Sequence, residues 1–297
     1  MIASDHSFSS GALVASKAKA LFELLKFRLA ALVAFSGAFG YSLAVPTINW
    51  PMLGLFCLAA IGITGAANII NQIIEKDLDK LMKRTANRPL PSGRLTVHEA
   101  TVWGVFLGVT SLLTFAFFFN ITTALLAALS TILYGFVYTP LKRVGPIAVF
   151  VGAIPGAFPP MIGWIAATNH FGLEPGILFA IQFFWQFPHF WAIAWVLDED
   201  YKRAGFKMLP SKGGKDLNTT IQIMIWTLCL IPIGWLPYQL SMTGIDSAFI
   251  ATVFGVLFLA QTFHLMRKCT DKTALQLMFG SFIYLPIVQI AFLIDKI

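Results

Sequence analysis

Residues 51–74 read PMLGLFCLAAIGITGAANIINQII, a run of 24 residues without a single charged side chain. An α-helix needs about 20 apolar residues to cross the hydrocarbon core of a bilayer. Over the whole chain of 297 residues, 57% are hydrophobic and only 12% are charged, whereas a soluble domain carries roughly 25% charged residues. Too little polar surface remains to face water, so we predict an integral membrane protein.

The same criterion of length and apolarity finds further membrane spans on both sides of this run. We predict an all-α, polytopic protein with nine transmembrane helices around a central cavity. The predicted spans are 28–47, 51–74, 101–119, 121–140, 145–168, 175–197, 219–241, 247–266 and 273–294. No change in composition separates a soluble unit, so we expect residues 1–297 to form one membrane domain, with residues 1–25 as a flexible cytoplasmic N-terminus.

Lysine and arginine are concentrated in alternate loops. With nine spans, 20 of the 21 basic residues fall on one side of the membrane, and Lys296 is the exception. Because basic loops remain in the cytoplasm, this distribution predicts an N-terminus inside and a C-terminus outside. The net charge of +7 follows from this topology, and no nucleic-acid partner is expected.

The first acidic cluster lies at the end of the apolar run of residues 51–74. Asn71, Glu75 and Asp79 recur at every fourth residue, which places them in one stripe on a helix, and Asn68 extends that stripe. Asp77 points elsewhere and is expected to form a solvated pair with a neighbouring lysine. A stripe of oxygen ligands suits Mg²⁺, which uses one or two carboxylates and completes its shell with water and phosphate oxygens.

A basic segment comes directly after the stripe. Residues 83–94 read KRTANRPLPSGR, in which proline and glycine oppose a helix. Arginine forks match phosphate oxygens bidentately. The stripe and the basic segment together are difficult to explain as interfacial anchors alone, so we predict a phosphate–metal site at this end of the span.

A second polar stripe is predicted on the sixth span. On a regular helix, Gln182, Gln186, His189 and Asp200 share one face, and Asp198 lies almost opposite His189. Polar groups within a membrane are costly unless they face a cavity or a partner, so we interpret the stripe as a cavity wall. A hydrogen bond between helices is an alternative for His189.

Two further features fit a cavity. The fifth span contains many helix breakers, so it is expected to bend and to pack closely; these are Gly152, Pro155, Gly156, Pro159, Pro160 and Gly163. The fourth span ends with Tyr134 and Tyr138 one turn apart, followed by Lys142 and Arg143. Aromatic faces stabilise a nearby cation, although interfacial aromatic residues give the same pattern.

Four segments resemble the UbiA superfamily of intramembrane prenyltransferases, and the resemblance covers nearly the whole chain after residue 20. They are NQIIEKDLDKLMKRTANRPLPSGR at 71–94, YTPLKR at 138–143, GAIPGAFPPMIGW at 152–164 and PHFWAIAWVLDEDYKRAGFKMLP at 188–210. The first and last segments are similar in particular to the members that farnesylate haem.

The resemblance implies a set of site residues. The family motif NxxxDxxxD falls on Asn71, Glu75 and Asp79, with glutamate in its middle place. The second motif, DxxxD, has Asp200 in its last place and Val196 in its first. The implied catalytic residues are Asn71, Glu75, Asp79 and Asp200, and these together with Asp198 are the implied Mg²⁺ ligands. The implied diphosphate-binding residues are Lys83, Arg84, Arg88, Arg94, Lys142, Arg143 and Lys202. The implied residues facing haem or the carbocation are His189, Gln186, Tyr134 and Tyr138.

The resemblance also implies a reaction: transfer of the farnesyl group of farnesyl diphosphate to a vinyl group of haem B, which yields haem O for a terminal oxidase. The expected location is the inner membrane of a bacterium, with the site at the cytoplasmic rim and with a haem-handling or oxidase-assembly partner. A prenyltransferase acting on a quinone precursor or a chlorin is the alternative within this class. A transporter is the alternative from another class, because broken helices and intramembrane polar residues also mark permeation paths.

Overall fold

The structure, a computed structural model, describes residues 10–212 and 214–297. Within these residues nine helices are long and apolar enough to cross a membrane, so the predicted all-α, nine-span fold is confirmed. We label a shorter N-terminal helix α1 (Ser10–Leu25). The membrane helices are α2 (Phe27–Ala44), α3 (Trp50–Asp79), α4 (Val97–Phe118), α5 (Ile121–Leu141), α6 (Ile147–Thr168), α7 (Leu173–Val196), α9 (Leu217–Gln239), α10 (Ile245–Lys268) and α11 (Asp271–Ile294). The short helix α8 (Asp198–Arg203) follows α7.

The helix ends follow local capping chemistry. The Thr96 hydroxyl accepts from the backbone N–H of Glu99, and the Glu99 carboxylate accepts from the Thr96 N–H, which is a capping box at the start of α4. The predicted turn at Asn120 is confirmed, because its side chain accepts from Thr123 N–H at 2.8 Å and starts α5. Polar N-cap residues therefore mark where α4 and α5 begin.

The sixth helix, α6, packs closely against α2, as its glycine content predicts. A Cβ atom added to Gly40 would lie 1.9 Å from the Pro160 carbonyl oxygen, and one added to Gly163 would lie 1.9 Å from the Gly37 carbonyl oxygen. Only glycine allows the two backbones to approach this far. The predicted bend of α6 stays a prediction.

The prolines of α6 leave backbone carbonyls without their helical donors, and polar side chains of neighbouring helices supply replacements. A proline removes the N–H that would bond the carbonyl four residues earlier. Pro160 thus frees the Gly156 carbonyl, which accepts from Gln182 Nε2 at 3.0 Å. Pro159 likewise frees the Pro155 carbonyl, which accepts from Ser130 Oγ at 3.2 Å. Such compensation is what makes proline tolerable inside a membrane helix.

The N-terminal helix packs on α3. We expected residues 1–25 to be flexible; residues 1–9 lie outside the described residues, and Ser10–Leu25 form α1. The Leu24 side chain is fully buried. The α1 segment therefore contributes to the packed bundle.

The basic loops converge on one face of the bundle. Arg94 pairs with Glu23 at 2.6 Å, Lys142 with Glu75 at 2.8 Å, and Lys215 with Asp271 at 2.7 Å. Each pair links two different cationic loops or helix ends. At the opposite end Lys296 Nζ donates to the Ser42 carbonyl at 2.9 Å. This separation agrees with the predicted charge asymmetry, while the prediction of which face is cytoplasmic is not tested by these contacts.

Candidate active site

The stripe at the end of α3 is buried. Asn71, Glu75 and Asp79 are 2%, 3% and 0% exposed, and α3 remains helical through Asp79, five residues beyond the predicted end of the span. Asp77 is exposed and pairs with Lys80 at 2.9 Å, as predicted. Two carboxylates in a buried environment are costly unless each is paired.

Each buried carboxylate has a cationic partner from a different loop. Lys142 Nζ lies 2.8 Å from Glu75 Oε1, and Arg88 Nη1 lies 2.7 Å from Asp79 Oδ2. Burial alone would lower the pKa of Lys142, but the Glu75 carboxylate and then the Tyr134 phenol outweigh burial, so that this pKa is raised. The segment between α5 and α6 and the segment after α3 thus meet at the stripe.

The remaining oxygens of the stripe are suited to a metal ion. Asp79 Oδ1 is buried and has no hydrogen-bond partner among residues 10–212 and 214–297. The Asn71 amide donates to Thr139 Oγ1 at 3.0 Å, which leaves its carbonyl oxygen available. No three His, Cys, Asp or Glu side chains of the described chain converge as a metal site. A divalent cation would therefore need the amide, water and substrate oxygens as well, which is the ligand set that Mg²⁺ prefers.

The second acidic cluster lies beside the loop that follows α3. The α7 helix ends at Val196, before the cluster, and α8 begins at Asp198. The Asp200 carboxylate lies 3.4 Å from the backbone nitrogens of Lys83 and Arg84 and pairs with Arg203 at 3.2 Å. Asp200 therefore lies beside the basic segment that follows the α3 stripe. It forms no hydrogen bond or ion pair with Glu75 or Asp79 within the described residues.

The predicted diphosphate-binding residues divide into two groups. Arg88 and Lys142 reach the buried carboxylates, and Arg143 lines a cavity of about 420 Å³ that Glu75 and Thr139 also border. The side chains of Lys83 and Arg84 are exposed, and their backbone nitrogens lie 3.4 Å from the Asp200 carboxylate. Arg88, Lys142 and Arg143 therefore reach the acidic stripe, or the cavity beside it, from two loops, and the roles of Lys83 and Arg84 stay predictions.

Two predicted cations contact other groups. Arg94 donates to Glu23 Oε2 at 2.6 Å and to the Asn87 carbonyl at 2.8 Å. Lys202 is mostly exposed and pairs with Asp198 at 2.7 Å. The structure does not bring either side chain to Glu75 or Asp79. Their roles in diphosphate binding stay predictions.

The two tyrosines predicted at the end of α5 lie together. Leu133–Tyr138 form a π-helical turn, and the ring centroids of Tyr134 and Tyr138 are 5.4 Å apart. Lys142 Nζ lies 4.8 Å from the Tyr138 ring centroid, which is within cation–π range. Because π-helical turns are frequent at functional sites, this irregularity supports placing both aromatic faces in the site.

The polar stripe of α7 is bonded to neighbouring helices. Gln186 Nε2 donates to the Ala153 carbonyl of α6 at 2.9 Å, and Gln289 of α11 donates to Gln182 Oε1 at 3.2 Å. His189 Nδ1 lies 2.8 Å from Ser281 Oγ of α11. The alternative of interhelical hydrogen bonding is therefore what the structure shows for these side chains, and contact of Gln186 with haem stays a prediction.

Two hydrogen bonds of Ser281 indicate which ring nitrogen of His189 carries the proton. Ser281 Oγ donates its only hydrogen to the Met278 carbonyl at 2.6 Å, so Nδ1 of His189 must be the donor in the bond between the two side chains. The lone pair of Nε2 then remains free. The imidazole ring is held by Trp185, whose ring stacks on it at 4.4 Å, and by Phe282 at 5.0 Å.

Thr139, which the sequence did not predict at the site, borders the cavity beside Glu75. Its hydroxyl accepts from Asn71 and donates to the Tyr134 carbonyl at 2.8 Å, so it orients an implied metal ligand. Its place in the YTPLKR segment, next to a predicted site tyrosine, was the available signal.

In the described part of the chain, nine membrane helices carry buried carboxylates and cations at one end, as expected for a membrane-embedded prenyltransferase. The chain belongs to the UbiA prenyltransferase family, whose model matches residues 32–285. Its relatives include two bacterial proteins named Protoheme IX farnesyltransferase. The protein from Cytophaga hutchinsonii is 56% identical over 96% of this chain and 100% of its own. The protein from Flavobacterium psychrophilum is 47% identical over 92% of this chain and 93% of its own.

Solved structures share the fold at lower identity. A Digeranylgeranylglyceryl phosphate synthase structure has a TM-score of 0.78 at 22% identity, covering 94% of this chain and 98% of that one. A UbiA homolog from Archaeoglobus fulgidus bound to DMAPP and Mg²⁺ has a TM-score of 0.65 at 16% identity, covering 92% and 98%.

Proposed function

We propose that this protein transfers the farnesyl group of farnesyl diphosphate to a vinyl group of haem B and so forms haem O. The observation that carries the proposal is the buried α3 stripe, in which Glu75 and Asp79 are each paired with a cation and Asp79 Oδ1 is left unpartnered. Full-length relatives named Protoheme IX farnesyltransferase support the choice of acceptor.

Mg²⁺ would be held by Asn71, Glu75 and Asp79, with Asp200 and Asp198 as candidates for a second position. When bound, it supplies positive charge that makes the diphosphate a better leaving group. The similarity in fold to a UbiA homolog bound to DMAPP and Mg²⁺ supports this assignment. Asn71 is oriented for the role by its hydrogen bond to Thr139.

The cations around the stripe bind the diphosphate and stabilise the charge that grows on it. The C–O bond to the diphosphate breaks, and its electron pair leaves with the diphosphate. In this proposal Arg88, Lys142 and Arg143 stabilise this charge, and the exposed Lys83 and Arg84 extend the binding surface. The ion pairs of Arg88 and Lys142 with the stripe, and the position of Arg143 in the adjacent cavity, support it. Preorganised donors of this kind are usually the largest contribution to catalysis.

The allylic cation that remains is attacked by the vinyl π electrons of haem, which forms a C–C bond. Water then adds to the resulting cation and a proton is lost, leaving a hydroxyethyl substituent. The faces of Tyr134 and Tyr138 stabilise the allylic cation. The apolar walls of a membrane site keep bulk water from the cation before the vinyl group reacts.

His189 is our candidate for contact with haem. Its Nδ1–H is fixed by Ser281, and the free Nε2 lone pair is the form of imidazole that binds metals. Stacking on Trp185 restrains the ring. The side chain could therefore bind the haem iron and orient the vinyl group.

We infer from the cationic loops that the active-site face lies in the cytoplasm, with the N-terminus inside and the C-terminus outside. The bacterial sources of the relatives support a location in the cell inner membrane. We expect one membrane domain over residues 1–297 that passes haem O to a haem-handling or oxidase-assembly partner.

The reaction is tested with purified protein, farnesyl diphosphate and Mg²⁺, offered haem B or 4-hydroxybenzoate, with products identified by mass spectrometry. Asp79→Ala should abolish haem O formation, whereas the matched control Asp77→Ala should retain it, because Asp77 is exposed and faces away from the stripe. Product only from 4-hydroxybenzoate would favour the quinone-precursor alternative. Full activity of the Asp79 variant would refute the metal role.

A further inference from the structure

Thr85 lies in the basic segment after α3 and is buried there. Its exposed fraction is 0%, although Lys83, Arg84 and Asn87 beside it are exposed. A buried hydroxyl group requires a hydrogen-bond partner, and removing the hydroxyl leaves that partner with one bond fewer. The sequence motifs explain the cations of this segment but not the threonine between them.

Three hydrogen bonds join Thr85, Asp79 and Arg88 in a closed ring. The Thr85 hydroxyl donates to the Asp79 backbone carbonyl at 2.8 Å. The Thr85 carbonyl accepts from the Arg88 N–H at 3.0 Å. Arg88 Nη1 then donates to Asp79 Oδ2 at 2.7 Å. The ring therefore restrains the backbone on both sides of the buried ion pair.

The ring lies where α3 ends. Asp79 is the last residue of this helix, and the last carbonyls of a helix have no donor within it. The Asp79 carbonyl accepts from the Met82 N–H at 3.3 Å and, at the shorter distance of 2.8 Å, from the Thr85 hydroxyl. Thr85 thus holds the last turn of α3, which carries the Asp79 carboxylate, against the loop that returns Arg88.

The ring also sets the direction of the second carboxylate oxygen of Asp79. Arg88 engages Oδ2, and Oδ1 is buried without a hydrogen-bond partner in the described part of the chain. Mg²⁺ requires near-ideal octahedral geometry, so a small rotation of this carboxylate weakens its binding. Groups that hydrogen-bond a metal ligand, or hold it in place, commonly control metal affinity.

We propose that Thr85 is a positioning residue, which orients Asp79 for Mg²⁺ through its bond to the Asp79 carbonyl and its hold on the Arg88 backbone. This inference rests on the proposed function, because it requires Asp79 to be a metal ligand. Thr85 touches neither the metal nor the diphosphate in this arrangement. It acts through Asp79 and Arg88, which its two bonds join.

The test measures Mg²⁺ affinity in two ways with the purified full chain in detergent. Binding of Mg²⁺ alone is followed by the rise in melting temperature, and farnesyl transfer at saturating farnesyl diphosphate gives KM for Mg²⁺. Thr85→Val keeps the shape of the side chain but cannot donate, and it should weaken Mg²⁺ binding roughly tenfold or more. Its kcat at saturating Mg²⁺ should fall less than this KM rises. Thr85→Ser keeps the hydroxyl and should remain within a few-fold of the unchanged protein.

A matched control separates positioning from folding. Thr227 of α9 is also 0% exposed, and its hydroxyl donates to the Ile223 carbonyl at the same 2.8 Å. Thr227→Val and Thr85→Val each remove one buried hydrogen bond, so both should melt lower by similar amounts. Only Thr85→Val should lose Mg²⁺ affinity. If Thr85→Val does not fold, Thr85→Cys takes its place, because a thiol fills the position but is a weak donor.

The outcome also distinguishes this inference from the proposed function. If Mg²⁺ neither stabilises the unchanged protein nor supports its farnesyl transfer, the metal role in the proposed function fails. If the unchanged protein binds Mg²⁺ and Thr85→Val binds it equally well, the proposed function stands and Thr85 is only a structural residue. Equal losses of Mg²⁺ affinity in Thr85→Val and Thr85→Ser would also overturn the inference, since the serine retains the donor.

Discussion

The ion pair between Arg88 and Asp79 offers a quantitative test of the site. Asp79 is fully buried, its Oδ2 atom lies 2.7 Å from Arg88 Nη1, and the Arg88 side chain is only 20% exposed. Arg88→Met removes the cation and leaves both carboxylate oxygens without a hydrogen-bond partner, because Oδ1 already lacks one. Breaking a buried pair in this way costs about 3–5 kcal/mol.

This loss is measured as thermal unfolding in detergent without Mg²⁺. A free-energy change of 1 kcal/mol shifts the melting temperature of a chain of this size by roughly 2 °C, so Arg88→Met should melt roughly 6–10 °C lower. The double variant Arg88→Met/Asp79→Asn should recover most of the difference, because the uncompensated charge is gone.

The melting temperatures of the single and double variants are then compared with and without Mg²⁺. If Asp79 is a ligand, adding the ion should stabilise Arg88→Met, since a ligand that binds only the folded state raises stability in proportion to the logarithm of its concentration. The double variant should gain much less. The reasoning is refuted if Arg88→Met melts with the unchanged protein, or if Mg²⁺ stabilises the single and double variants equally.

The remaining predictions concern packing, haem and a loop contact. Gly40→Ala should lower the melting temperature by an amount equivalent to about 1–3 kcal/mol, because its Cβ would meet a backbone carbonyl of α6 at 1.9 Å; Gly54→Ala, which meets nothing within 4 Å, should change little. His189→Ala should weaken haem B binding, followed by the Soret band, and leave farnesyl diphosphate binding unchanged; equal haem spectra would contradict the assigned contact. Arg94→Gln should cost less than about 1 kcal/mol of stability, since its pair with Glu23 is exposed. The hydrogen bond from Arg94 lowers the pKa of Glu23, so this difference should be present at neutral pH and vanish as acid protonates Glu23; a difference that persists in acid would contradict the ion-pair explanation.

The sequence alone determined the membrane class, the helix count and the stripe on α3. A bilayer demands long apolar runs and separates basic loops, and both signals are local. The spacing of Asn71, Glu75 and Asp79 is likewise local, because a helix brings every fourth residue to one face. The structure keeps α3 helical through Asp79 and buries all three side chains.

Only the tertiary structure determined which side chains form ion pairs and hydrogen bonds with the polar residues of α3 and α7. Lys142 and Glu75 are far apart in the chain and meet because α5 packs beside α3. The α7 stripe was expected to border a cavity, but its amides bond neighbouring helices, in part because Pro160 frees the Gly156 carbonyl for Gln182. The hydrogen bonds that tie the end of α1 to α3, from Asn68 and Gln72 to the Leu25 and Leu24 carbonyls, likewise appear only in the packed structure. Periodicity predicts which face a residue occupies, whereas ion pairs depend on which helices become neighbours, and that is a property of the packed bundle.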